Sequence, residues 1–134
     1  MGGSIPASLL DTPLDFDALA ELGAPMGAGG LFVMDEDTNM VEIARFFLNF
    51  LTNESCGKCV PCREGIRQML KIVTNISEGK GKEGDIELLE ELCEVSGAAS
   101  LCALGRTASS PVLSTLRSFR NEYEANIVRE SEKR

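Results

Sequence analysis

The chain has no histidine and no tryptophan among its 134 residues, and its one tyrosine is Tyr123. Without imidazole, a hydrolase or proton relay lacks its usual base, and metal ligation falls to thiolates and carboxylates. Aromatic residues make up 5% of the chain, too few to build the stacking platforms of single-stranded nucleic-acid binders. Positive charge is scarce as well: 13 Lys and Arg stand against 21 Asp and Glu, for a net charge of −8. That balance argues against a nucleic-acid backbone or an anionic membrane surface as partner. Long apolar runs are missing too. The richest stretch, Val41 to Leu51, is interrupted by Glu42, Arg45 and Asn49, whereas a membrane span needs roughly 18–20 consecutive apolar residues. No basic segment followed by an apolar core opens the chain, so a secretory signal is not read. We expect a cytoplasmic protein without direct membrane insertion.

Cysteine, by contrast, is present five times. In a chain without an export signal this favours reduced thiols and metal ligation over disulfides. Three of the five form one run, Cys56-Gly-Lys-Cys59-Val-Pro-Cys62, and Cys102 follows far downstream in Ser-Leu-Cys-Ala-Leu-Gly. Thiolates at i, i+3 and i+6 can converge on one small polyhedron, and a distant fourth can close it. Compact C-x2-C-x2-C runs completed by another cysteine are how proteins hold [4Fe–4S] clusters. Cys93 is the competitor for the fourth place. It lies four residues after Leu89 on the apolar face of an expected helix, where a free cysteine packs as a small hydrophobe. We therefore assign Cys56, Cys59, Cys62 and Cys102 as ligands and Cys93 as packing. Lys58 and Arg63 bring positive charge near the run, either as tuning groups or as ordinary solvated side chains.

Two rival chemistries share these thiols. Structural zinc also takes four cysteines, although its ligands usually come as two separated C-x2-C pairs. A redox-active C-x-x-C dithiol would call for a surrounding βαβ pattern, which is not seen. Other motifs fade. Asp35-x-Asp37-x-Asn39 begins like a calcium loop, but Met40 and Phe46 stand where Gly and Glu are required. Gly27-Ala-Gly-Gly30 precedes an expected strand rather than a helix, so a phosphate cradle is not supported.

The first 37 residues carry six of the thirteen glycines and three of the five prolines. A short segment near Ile5–Leu10, a brief helix near Phe16–Leu22 and a strand at Gly30–Met34 are expected there, as the end of a larger β-containing domain. From Thr38 the periodicity turns helical. Thr38 or Asn39 caps a helix with Val41, Ala44, Phe47, Leu48 and Leu51 inward. A second helix is expected from Arg63 to Ser77, with Ile66, Met69, Leu70, Val73 and Ile76 inward. A flexible Gly79–Gly84 linker follows. Asp85 then caps a third helix presenting Ile86, Leu89, Leu92, Cys93 and Val95. Ser109-Ser-Pro111 opens a last helix to about Arg129, with Val112, Leu116, Phe119, Tyr123 and Ile127 on its buried side. The fold class is thus mainly α: a four-helix bundle over residues 38–134 holding the cysteine site, after a partial β-containing segment at 1–37. The charged end, Arg129 to Arg134, is either a docking surface or a solvated terminus.

Glu54-Ser-Cys-Gly-Lys-Cys-Val-Pro-Cys-Arg-Glu-Gly65 with Ser100-Leu-Cys-Ala-Leu-Gly105 resembles the C-terminal region of the NADH-binding flavoprotein subunit of respiratory complex I. It is similar also to the matching subunits of NAD(P)-linked [FeFe]-hydrogenases and NAD-dependent formate dehydrogenases. The tail from Pro111 to Glu124 looks closest to the hydrogenase branch. Gly2 to Pro13 and Gly29 to Asp37 resemble the end of the preceding β-grasp-like (SLBB) domain. The resemblance implies a [4Fe–4S] cluster on Cys56, Cys59, Cys62 and Cys102. It also implies electron relay between flavin mononucleotide and clusters in a thioredoxin-like [2Fe–2S] subunit and a larger ferredoxin-bearing subunit. The glycine-rich flavin and NADH domain of that family has no counterpart here, so this chain is expected to bind neither FMN nor NAD and not to oxidise NADH alone. A zinc-binding or metal-free interaction module is the alternative.

Overall fold

The computed structural model describes residues 2–128. Its elements are a 3-10 turn at Ala7–Leu9, α1 (Phe16–Glu21), α2 (Met40–Glu54), α3 (Val60–Ser77), β1 (Gly81–Lys82), α4 (Asp85–Ala99), α5 (Ala103–Thr107), α6 (Ser110–Glu124) and β2 (Ile127–Val128). The architecture is mainly helical. Helix α2 packs on α3 and α6, α3 on α4, and α4 on α6, so the four long helices close around one core.

Each long helix exists because its sequence supplies a start signal and an apolar stripe. Asn39 accepts the free N–H groups of Val41 and Glu42 with its side chain, which satisfies donors that α2 itself leaves unpaired. The Glu122 carboxylate accepts the Met40 N–H at 2.7 Å and ties the end of α6 to the start of α2. Val41, Ala44, Leu48 and Leu51 are buried from α2, and Ile66, Met69, Ile72, Val73 and Ile76 from α3. Ile86, Leu89 and Cys93 from α4 and Val112, Leu116 and Tyr123 from α6 complete the core. Fully burying each large aliphatic side chain contributes about 1.5–3 kcal/mol relative to exposure. The Tyr123 hydroxyl is matched inside the core by Thr115 Oγ1 at 2.7 Å.

Several expectations change. Gly30–Met34 forms no strand: Leu31, Phe32 and Val33 are exposed and nothing pairs with their backbone, and residues 2–37 hold no strand among the described residues. Earlier parts of this stretch are instead tied to α6. The Ser4 N–H donates to Ser114 Oγ, and Arg117 donates to the Leu22 carbonyl at 2.7 Å. Phe47 sits at the edge of the core rather than in it, meeting Phe32 and Phe46 edge-to-face. Helix α3 begins at Val60, not Arg63, because Pro61 fits its first turn and Cys59 takes the capping position. Gly84, not Asp85, caps α4, while Asp85 accepts the Lys82 N–H at 2.8 Å. Val95 is exposed, and Ser96 takes the inward position on α4.

Helix α6 kinks at Phe119 and ends at Glu124. Ile127 and Val128 then pair in parallel with Gly81 and Lys82, so the expected flexible linker is held as half of a two-stranded ladder. Ile127 comes so close that a Cβ on Gly81 would fall 2.7 Å from its Cδ1, which explains glycine there. The charged end from Arg129 to Arg134 lies outside the described residues.

Candidate metal centre

Cys56, Cys59 and Cys62 lie where α2 ends and α3 begins. Ser55 closes α2 in an extended conformation, and Gly57 reverses the chain at φ +70°, a left-handed conformation that side chains disfavour. Arg63 reaches back from α3 and donates to the Gly57 carbonyl at 2.6 Å, with its Nε on Glu64 at 3.0 Å. Arg63 therefore holds the loop in shape instead of being freely solvated. Lys58 is exposed. Cys59 is the cap residue of α3. Cys62, unlike Cys56, is part of α3. It lies in the first turn of the helix and is 4% exposed, with its side chain in the core cluster.

Cys102 arrives from the other side of the bundle as the cap residue of α5, and its carbonyl accepts the Arg106 N–H at 3.1 Å. Arg106 Nε also donates to the Ser100 carbonyl at 3.0 Å, which fixes the short loop before Cys102. Small residues let the two halves of the site approach. Gly65 on α3 faces Ser96 on α4, and the Ser96 hydroxyl donates to the Gly105 carbonyl at 3.3 Å. A Cβ on Gly105 would collide with Ser100 and come within 3.0 Å of Cys62 Cβ. The segment carrying Cys102 is thereby pressed against the segment carrying Cys59 and Cys62.

The electrostatics of this junction favour anionic sulfur. The Cys59 thiol is held below its ordinary value, first by the Leu101 N–H, then by the Cys62 N–H, with smaller contributions from its own N–H and the Ser100 hydroxyl. Backbone groups from both halves of the site thus lower the same thiol. Cys93 has the opposite character. It is buried, donates to Met69 Sδ at 3.4 Å, and desolvation pushes its thiol up to about 12, with Glu90 adding to the rise.

Cys56 and Cys102 are exposed and Cys59 is partly so. Among the described residues no three of the cysteine and acidic side chains already stand as a metal-holding group. The donor set nonetheless suits a thiolate-held cofactor: Ser55 Oγ stands 3.2 Å from Cys62 Sγ, N–H groups lower the Cys59 thiol, and the buried Ser100 hydroxyl has no hydrogen-bond partner among the described residues. Sequence reasoning missed Ser55 and Ser100. The signal available was their position, one residue before Cys56 and two before Cys102.

A helical bundle that presents a thiol run at one helix start and packs a second cysteine-bearing segment against it has the form of a thiolate-ligated cofactor domain. Residues 42–126 match the NADH-ubiquinone oxidoreductase-F iron–sulfur binding region, and the chain belongs to that family, which binds a [4Fe–4S] cluster. It is similar to the NADP-reducing hydrogenase subunit HndC of Solidesulfovibrio fructosivorans, with 44% identity over 94% of this chain and 26% of that protein. An NADH-quinone oxidoreductase subunit of Rhizobium meliloti is 41% identical over 92% of this chain and 29% of its own length. In three dimensions the chain superposes on an NAD+-reducing [NiFe]-hydrogenase in the H2-reduced state with a TM-score of 0.83 and 32% identity, covering 95% of this chain and 22% of that one. The chain therefore spans about a quarter of the length of these relatives.

Proposed function

We propose that this chain is an electron-transfer module holding one [4Fe–4S] cluster on Cys56, Cys59, Cys62 and Cys102. In this reading residues 38–134 are the cluster domain and residues 1–37 the end of an SLBB-like segment. The observation that carries the proposal is the junction of the two cysteine-bearing segments, where a Cβ on Gly105 would meet Ser100 and come within 3.0 Å of Cys62 Cβ, inside the span that matches an iron–sulfur binding region. The cluster supplies one-electron redox chemistry without proton uptake. The residues of the chain hold it, keep the Cys62 side wrapped in the core, and aim N–H groups at sulfur, which favours the reduced, more anionic state.

Electrons would pass between a flavin in a separate domain and clusters in partner subunits of an NAD(P)H-linked oxidoreductase, of the complex I or hydrogenase kind. A thioredoxin-like [2Fe–2S] subunit and a larger ferredoxin-bearing subunit are the partners this implies, in the cytoplasm. FMN and NAD belong to the full-length subunit in this reading, not to these residues. Oxygen-free reconstitution with iron and sulfide tests it. Brown protein with a broad band near ~400 nm and about four irons per chain is expected for a cubane on four thiolates. Colourless protein retaining one zinc would instead establish the structural-zinc alternative.

A further inference from the structure

We propose that Ser55 donates an O–H···S hydrogen bond to the sulfur of Cys62, that the buried, unpartnered hydroxyl of Ser100 turns to a sulfur of the same site, and that these hydroxyls raise the reduction potential of the group held there. The inference rests on the reading above and adds to it the residues that tune the site.

Ser55 Oγ lies 3.2 Å from Cys62 Sγ, within the range of a hydroxyl–sulfur bond. The same oxygen accepts the Gly57 N–H at 3.2 Å. With that lone pair occupied, the hydroxyl proton is free to point at the sulfur. Ser55 thus links the left-handed turn of the cysteine loop to the buried end of the thiol run.

Ser100 comes from the opposite half of the site. It is 2% exposed, and its hydroxyl is the buried side-chain oxygen that lacks a hydrogen-bond partner among the described residues. Leaving such a group unsatisfied is costly, so its presence at a crowded position calls for a partner. Gly105 packs against it so closely that a Cβ there would collide with it and come within 3.0 Å of Cys62 Cβ. Its hydroxyl also contributes to holding the Cys59 thiol low, which supports a sulfur of this site as that partner. A thiolate carrying cluster charge accepts more strongly than a neutral thiol, so occupancy of the site supplies what the hydroxyl lacks.

Reduction adds one electron to the bound group from an external reductant, with no bond to the protein made or broken. Donors at sulfur stabilise the added negative charge, so removing one makes reduction less favourable. The test is a dithionite titration, monitored by electron paramagnetic resonance, of the reconstituted full chain and its Ser55→Ala and Ser100→Ala variants, with iron content measured alongside. Each variant is expected to keep its iron and to be reduced a few-fold to about tenfold less readily; tenfold corresponds to 59 mV for one electron.

Ser55→Thr, which keeps the hydroxyl, is expected to restore the parent potential. Ser96→Ala is the control, because Ser96 is equally buried but bonds the Gly105 carbonyl rather than a sulfur. Its potential is expected to match the parent. Full iron with unchanged potentials in both alanine variants overturns the proposal, as does an equal shift in Ser96→Ala. If Ser100→Ala loses its iron, that serine is a structural support and the tuning role assigned to it is wrong. A parent chain that takes up no iron overturns the proposed function itself.

Discussion

Cys93 and Cys59 are the same side chain given opposite characters by their surroundings. Around Cys93 there are Met69 and the apolar face of α4, and burial lifts its thiol from 9.0 to about 12. Around Cys59 there are N–H donors, and its thiol is lowered. The consequences for stability have opposite signs. A folded state that keeps Cys93 protonated above the value of the unfolded chain loses stability as pH rises from 9.0 toward about 12, and Tyr123 adds the same sense of loss from 10.0 to about 12. Cys59 contributes stability that is present above 9.0 and is lost as pH falls through its lower folded value. In the metal-free chain, denaturant titrations are therefore expected to show a fall in stability beginning near pH 9. In Cys93→Ala, which gives up roughly 1 kcal/mol of packing, the onset is expected nearer pH 10, where Tyr123 takes over. An unchanged onset would mean that Cys93 is not the group responsible.

At the scale of elements, the site depends on how closely α4 and α5 approach the start of α3. Gly105 is the tightest point, since a Cβ there meets Ser100 and Cys62. Gly105→Ala is expected to cost about 1–3 kcal/mol through overpacking and to lower iron uptake, because relief of the clash moves Cys102 away from Cys59. Thermal unfolding and iron content equal to those of the parent would show that the approach does not matter. The long helices were legible in the sequence, because Asn39 and Pro111 are local start signals and the stripes repeat at helical spacing. Their ends were less so. Ile127 follows Tyr123 at a helical interval, yet it leaves the helix to pair with Gly81, a contact between residues far apart in the chain. The apolar run Leu31 to Met34 reads as a strand, but a strand requires a partner and none is present among the described residues. The thiol spacing pointed to the kind of chemistry. Which hydroxyls would meet the sulfurs depended on the packing of Gly65, Ser96 and Gly105, which no local pattern encodes.

On the scale of the whole molecule, the helical core joins two distant stretches of chain, one ending at Cys62 and the other carrying Cys102, where Gly105 packs against Ser100 and Cys62. Within glycine-rich residues 2–37, Ser4 and Leu22 are tied to α6, whereas Leu31, Phe32 and Val33 are exposed. No helix among the described residues is long and apolar enough to cross a membrane. If four thiols hold one cluster, loss of the distant one must empty the site, whereas loss of the core thiol must not. The most direct measurement is iron per chain after oxygen-free reconstitution of Cys102→Ser beside Cys93→Ala and the parent. About four irons are expected in the parent and in Cys93→Ala, with a marked loss in Cys102→Ser. Full iron in Cys102→Ser, or its loss in Cys93→Ala, would contradict the assignment.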